Sequence, residues 1–361
     1  MDLTALSIRN VRRISDATVC PSSTLNLIVG ANGSGKTSLL ESIHYLTSAR
    51  SFRTSRARDV ISHGERTLLI SGEFRDGQQK VNFVGIEKSP SQTRLRLNGE
   101  AIQVASQLAR LMPVLNFNTE SHLLLSGGPS VRRSLLDRLL FHVEQDYLMS
   151  LKKYYRSLKQ RNALLRARRS TSEIKAWDEQ IGIDVDELDR WRSDCVEAIN
   201  TYLEISPIST VIGNLRLNYN RGWNADEDFN DVLITNLERD RDAGLTNSGP
   251  HRAEIRFKLD DKLAKTIVSR GQGKLIIAAI VGAQSAYLSE HGGESPILLV
   301  DDLASELDRN ARKIAIDEIL RTPSQVFFTA IETHDLPSEL VESAKLFHVE
   351  QGDIHPDSVP A

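Results

Sequence analysis

The stretch Gly30-Ala31-Asn32-Gly33-Ser34-Gly35-Lys36-Thr37 sets glycines, a lysine and a hydroxyl at fixed spacing. Glycines let several backbone N–H groups turn toward one anion, the lysine adds a mobile positive charge, and the hydroxyl suits a hard cation. The order matches G-x-x-x-x-G-K-[ST], the loop that cradles the phosphates of ATP with Mg²⁺. Ser38 completes the candidate nucleotide-binding set, with Thr37 as a metal ligand and Lys36 reaching the β and γ oxygens. A plain glycine-rich turn is the competing reading, and the apolar strand before and the helix after the loop argue against it.

A second phosphate-suited peptide, Ser269-Arg270-Gly271-Gln272-Gly273-Lys274, stands at the mouth of the apolar run "LIIAAIVGA". At a helix start, Ser269, Gly271 and Gln272 would offer a hydroxyl, free N–H groups and a positive dipole end. Arg270 and Gly273 receive no role. Further on, "PILLVDDLASELD" reads as a buried strand that delivers carboxylates at its C-terminal end. Asp301 is assigned to Mg²⁺, directly or through water, and Asp302 to orienting or deprotonating the attacking water. Its arm is shorter than glutamate's, which suggests slow hydrolysis. An ordinary strand capped by an Asp turn is the alternative. Thr329, in "QVFFTAIE", is the candidate γ-phosphate sensor, against a plain strand residue.

These groups need elements to hold them. Leu6, Ile8 and Asn10 alternate as in an edge strand, "STLNLIVG" is a buried strand ending in glycine, and a helix follows from Thr37. Between about 66 and 104, turn signals at "RDGQQ" and "LNGE" separate short strands. From Val131 the period changes: Leu136, Leu140, Val143, Tyr147, Leu151, Tyr154, Leu158 and Leu165 keep helical spacing for about ten turns. A second helical run carries Ile174, Trp177, Ile181, Leu188, Trp191, Cys195 and Ile199, so an antiparallel hairpin is expected. Strands return around "LRLNYNRGW", and "GDIHPDSVPA" reads as an exposed tail. The expected division is a head, 1–120; a helical lobe, 121–205; and the rest of the head, 206–361. With 361 residues, 40% hydrophobic and 26% charged, the composition is that of a soluble globular protein, and a net charge of −3 does not by itself imply a polyanionic partner. The start "MDLTALSIRN" lacks the pattern of a signal peptide, and no apolar run approaches the roughly 18 to 20 residues that span a bilayer. Cys20 and Cys195 are read as buried, reduced thiols. A cytoplasmic, nucleoid-associated protein without a membrane partner is expected.

The order phosphate loop, Ser-x-Gly-Gln, acidic strand and "SELD" is that of an ABC-type ATPase head. The chain resembles the RecF family of bacterial recombination mediators, relatives of the SMC proteins. The matching blocks are "LSIRNVRRI" at 6–14, "GANGSGKTSLLESIHYL" at 30–46, "RSFR" at 50–53, "GGPSVRRSLLD" at 127–137, "SGPHRAE" at 248–254, "SRGQGK" and "LLVDDLASELD" at 298–308. They run nearly the whole length. The resemblance implies an α/β ABC-type head with an accessory antiparallel sheet and an inserted helical hairpin. It also implies an ATP-dependent homodimer in which the Ser-x-Gly-Gln peptide meets the γ-phosphate held by another copy. Gapped DNA, RecR with RecO, and indirectly RecA are the partners implied. Ala253 and Glu254 depart from the two acids the family usually has after "GPHR", and Gly273 replaces its usual second glutamine.

Between Tyr147 and Ser172 no acid occurs, while Lys152, Lys153, Arg156, Lys159, Arg161, Arg166, Arg168 and Arg169 all fall there. Such a face suits a phosphate backbone. The competing reading is pairing across the hairpin's own seam, since residues 174–204 carry nine acids and three bases. Arg50, Arg53 and Arg56 form a second candidate DNA contact. The alternative class for the whole chain is the ATPase subunit of an ABC-type transporter.

Overall fold

The computed structural model describes residues 1–292 and 294–356; residues 357–361 of the expected tail lie outside the described residues. The chain divides into two compact units, Met1–His122 with Ser269–Ala361, and Leu123–Val268.

The first unit holds two sheets. The antiparallel one runs in the order Ile14–Val19, Asp2–Val11, Leu68–Arg75, Val81–Lys88, Thr93–Leu97, Glu100–Ile102. Asp2–Val11 is therefore an inner strand, paired on both sides. Its alternation records one buried face, with Leu6 and Ile8 at 1% and 0% exposure, and not an edge. The hairpins fall where the turn signals place them. Asn98 and Gly99 take φ of 52° and 86°, the left-handed pair that a two-residue hairpin turn requires.

The other sheet runs Asp353–Pro356, Lys345–Glu350, Leu25–Val29, Gln325–Ala330, Ile297–Val300, Val114–Phe117. All its pairings are parallel except that of Asp353–Pro356, so part of the expected tail is a strand. Leu25–Val29, Ile297–Val300 and Gln325–Ala330 are buried throughout, as strands covered on both faces must be. The Lys36–Ser48 helix joins the two sheets through one core, in which Leu39, Leu40, Ile43 and Leu46 meet Leu3, Ile8, Ile70, Phe74 and Phe327.

In the second unit the helical pattern from Val131 divides into Pro129–Val143 and Tyr147–Arg166. Glu144 is extended, with φ −101° and ψ 117°. The break returns Tyr147 to the first helix, where its phenol donates to Asp137 Oδ1 at 2.6 Å. Thr171–Glu204 follows, opened by a capping box between Ser170 and Glu173. The sheet Leu215–Asn220, Glu254–Leu259, Lys262–Leu263 belongs to this unit and does not return to the head at 206. The reason is side-chain bonding to the long helix. Asn200 bonds both the N–H and the C=O of Leu217, at 2.7 and 2.9 Å. Cys195 is buried there, whereas Cys20 is exposed just past the end of its strand. No helix among the described residues is long and apolar enough to cross a membrane.

Candidate nucleotide site

Leu25–Val29 carries the glycine loop to the C-terminal end of the parallel sheet, where Gly30 N–H donates to Ala330 O. A Cβ on Gly30 would lie 2.3 Å from Val349 O, so the loop's close approach to the neighbouring strand admits glycine alone. Gly35, at φ 128°, turns the chain into the helix that starts at Lys36. A cavity of about 400 Å³ opens beside the loop, lined by Gly30–Ser34, Arg13 and His348–Gln351. The Arg13 guanidinium donates to Gly33 O at 2.7 Å, which fixes one wall.

Three observations fit this loop to a Mg²⁺-nucleotide. Lys36 Nζ arches back over it and donates to Gly30 O and Ala31 O, at 2.6 and 3.0 Å. Burial holds its pKa below the usual lysine value, opposed by the charges of Asp301 and Asp302. Ser34 Oγ is buried in the loop with no hydrogen-bond partner among the described residues. Thr37 Oγ1 donates to Asp301 Oδ2 at 2.9 Å, so the two expected metal ligands are side by side. Asn32 and Ala31 are exposed at the loop tip, and Ser38 is buried beneath it.

The strand order explains Thr329. Gln325–Ala330 lies between Leu25–Val29 and Ile297–Val300, so its Thr329 stands between the loop and the acidic strand end. The hydroxyl donates to Asp301 Oδ1 at 2.8 Å and accepts from Asp302 N–H at 3.0 Å. Asp302 itself is exposed and holds φ 55°. The signature peptide begins the helix Arg270–His291 in a capping box. Ser269 Oγ accepts from Gln272 N–H and Gln272 Oε1 accepts from Ser269 N–H, at 3.3 and 3.0 Å. Both side chains are exposed, and Gly271 is half-buried, packed near Glu306 O.

Sequence reasoning missed a second cluster, in the lobe. The "GGPSVRRSLLD" and "SGPHRAE" blocks meet: Arg132 grips Glu254 with two bonds, at 2.8 and 3.1 Å, and Arg133 donates to Ala253 O at 2.8 Å. Arg192, fully buried, donates to Pro250 O, Tyr147 Oη and Asp137 Oδ1, at 2.8, 3.0 and 2.8 Å. His251 is clasped between Tyr154 Oη at 2.6 Å and Thr246 O at 3.0 Å. The carbonyl can only accept, so Nε2 carries the ring hydrogen and Nδ1 takes the phenol's. The signal was there in two basic-and-glycine blocks far apart in sequence, but nothing in either says that they touch.

The expected basic face is only partly open. Arg161 is buried, bonded to Asp178 at 2.5 Å, Asp240 at 2.7 Å and the Thr246 hydroxyl at 2.8 Å. Arg169 pairs with Glu173, and Arg166 donates to Gly244 O at 3.4 Å, both at the surface. Lys152, Lys153, Arg156, Lys159 and Arg168 are exposed. In the head, Arg50, Arg53 and Arg56 are exposed on a loop held at its base by the Ser51 hydroxyl, which donates to buried Glu41.

Comparison with known proteins agrees with this architecture. The family model described as the RecF/RecN/SMC N-terminal domain matches residues 2–355. The DNA replication and repair protein RecF of Thioalkalivibrio sulfidiphilus is 38% identical over 356 residues, covering 98% of this chain and 99% of that protein. That of Cellvibrio japonicus is 36% identical, covering 98% and 99%. A solved structure of the recombination mediator protein RecF with ATP, in the RecFOR pathway, superposes with a TM-score of 0.84 at 22% identity, covering 99% of this chain and 98% of its own. The shared fold, an ABC-type ATPase head with SMC-like topology, and the sequence match over nearly every residue lead to one assignment: the chain belongs to the RecF family.

Proposed function

We propose that this chain is an ATP-operated DNA-binding switch of DNA replication and recombinational repair. One observation carries the ATPase part of this reading: the continuous set of bonds Thr37–Asp301–Thr329–Asp302, which joins the phosphate loop to the peptide N–H of exposed Asp302 at the C-terminal end of the parallel sheet. In this reading the glycine loop and Lys36 bind the phosphates, Thr37 and Asp301 hold Mg²⁺, and Asp302 orients the attacking water. When bound, Mg²⁺ supplies positive charge to the β and γ oxygens. Ser269, Gly271 and Gln272 recognise the γ-phosphate of a second copy, so that ATP closes a two-fold dimer on DNA and slow, DNA-stimulated hydrolysis opens it. The names of the relatives support action in replication and repair, and the ATP-bound neighbour is described as a protein of the RecFOR pathway. Help to RecA loading with RecO and RecR is the part of this proposal that the family resemblance implies.

Sedimentation with and without ATP, and with gapped duplex added, tests the switch. The wild-type chain is expected to sediment as an ATP-dependent dimer that carries the duplex. Ser269→Arg is expected to bind ATP as a monomer with nearly unchanged affinity while losing the dimer and hydrolysis. A monomer at saturating ATP would overturn the proposal. The same holds for an unchanged ATPase rate in Lys36→Arg. ATP-dependent capture by a membrane-embedded partner, with no DNA affinity at any ionic strength, would favour a transporter subunit in its place.

A further inference from the structure

We infer that Lys274 is a positioning residue for hydrolysis: it ties the helix that begins at Ser269 to the peptide of Asp302, so that what the helix end binds sets the water-orienting carboxylate. The inference rests on the ATPase reading above.

Lys274 Nζ donates to Ser305 Oγ at 2.6 Å, Ser305 O at 2.7 Å and Asp302 O at 3.2 Å. Each acceptor is an uncharged oxygen of one turn. An ammonium that spends its donors this way gains no ion pair, and being half-buried it gives up hydration. Burial accordingly lowers its pKa, against the opposing charges of Asp302 and Glu306. The arrangement therefore reads as positional.

What it positions is one peptide unit on each side of Asp302. The Asp302 N–H is held by Thr329 Oγ1, and its C=O by Lys274 together with the Ser305 hydroxyl, which donates at 3.1 Å and is itself bonded to Lys274. Between these anchors the residue holds its left-handed backbone. The far side of the turn has its own clamp, because Arg312 donates to Ala304 O at 3.0 Å and Leu307 O at 3.2 Å. Residues 304–307 thus have an anchor besides Lys274. The helix end also approaches the turn closely: a Cβ on Gly271 would lie 3.2 Å from Glu306 O, and Arg270 is 3.9 Å from the Glu306 carboxylate. A ligand that shifts Ser269 and Gly271 therefore acts on a helix whose second turn is bonded to Asp302. The path runs on through Thr329 and Asp301 to Thr37. A bonded path is a route, and coupling along it is what an experiment must measure.

Lys274→Met keeps the apolar stem and removes the donors. Compared with wild type, it is expected to keep the Kd for ATP within about twofold and to retain ATP-dependent self-association. Its single-turnover hydrolysis rate should fall at least tenfold. Ser305→Ala, which removes one acceptor of Lys274 and the hydroxyl's own bond to Asp302 O but leaves the Lys274 bond to that carbonyl, should give a smaller fall. In the double variant Lys274→Met, Asp302→Asn, the rate should fall no further than in Asp302→Asn alone, because both changes act on one group. A wild-type rate in Lys274→Met, or a loss that adds in full to that of Asp302→Asn, overturns the inference. Loss of ATP affinity or of self-association in place of rate also overturns it, since Lys274 would then serve binding. If Lys274→Met does not fold, Ser305→Ala carries the test, and an unchanged rate overturns the inference. Should wild type itself show no Lys36-dependent hydrolysis, the ATPase reading fails first. Lys36-dependent hydrolysis that is indifferent to Lys274 removes the inference alone.

Discussion

The two units treat charge in opposite ways. In the unit that holds the glycine loop, Lys36, Asp301 and Asp302 sit at the end of a buried parallel sheet, bonded mainly to backbone oxygens and hydroxyls. In the lobe, Arg161 and Arg192 are wholly buried and paired with Asp178, Asp240 and Asp137. The loop site of the first unit keeps charge available to a ligand, and the buried arginines of the second consume it to hold helices together. A run of basic residues therefore means different things in the two places, and composition alone cannot tell them apart.

Breaking the lobe's internal pairing gives the largest expected effect. Arg161→Leu leaves Asp178 and Asp240 buried without their cation and should cost about 3–5 kcal/mol in urea unfolding of the lobe. Nucleotide affinity should be unchanged. An equal loss of ATP binding would erase the distinction between the units.

The His251 clasp gives the next effect, and it depends on pH. Burial lowers the histidine to about 4 from 6.5. The unfolded chain thus takes up a proton before the folded one, so the stabilisation is complete above pH 6.5 and is lost as pH falls toward 4. The full span is worth about 3 kcal/mol. Unfolding midpoints measured across that window should fall in wild type and stay flatter in His251→Gln. Parallel curves would contradict the clasp.

The smallest effect on stability is expected where the lobe's charge is open. Replacing Lys152, Lys153, Arg156 and Lys159 with Gln should change stability by about 0.5 kcal/mol or less. It should also reduce the slope of log affinity for duplex against log salt by roughly 0.9 for each phosphate that these side chains neutralise. An unaltered slope would move the DNA surface elsewhere, with Arg50, Arg53 and Arg56 next to be replaced.

The head was readable because its chemistry is encoded in contiguous residues: the loop from Gly30 to Thr37, the strand ending in Asp301, the cap at Ser269. The hairpins were readable because Asn98-Gly99 has few other conformations. The lobe was harder. Helical spacing runs unbroken through Glu144–Asp146, so periodicity could not report the turn that brings Tyr147 to Asp137. The strands after 206 look alike whichever unit they join, and long-range bonds such as Asn200 to Leu217 and Tyr219 to Asp189 reveal the choice. Thr329 could be singled out from its strand, but its bonds to Asp301 and Asp302 follow from strand order, and the bonds of Lys274 from a helix–turn approach, which no local pattern carries.

The backbone at Asp302 has a consequence for which acids the position can accept. With φ at 55°, it lies in a region that, glycine aside, asparagine and aspartate enter most readily and glutamate less so. The short side chain then suits the chain's path as well as setting the catalytic reach. A longer carboxylate would enter that conformation at greater cost, whereas Asp302→Asn removes the charge and keeps a residue type that the turn favours.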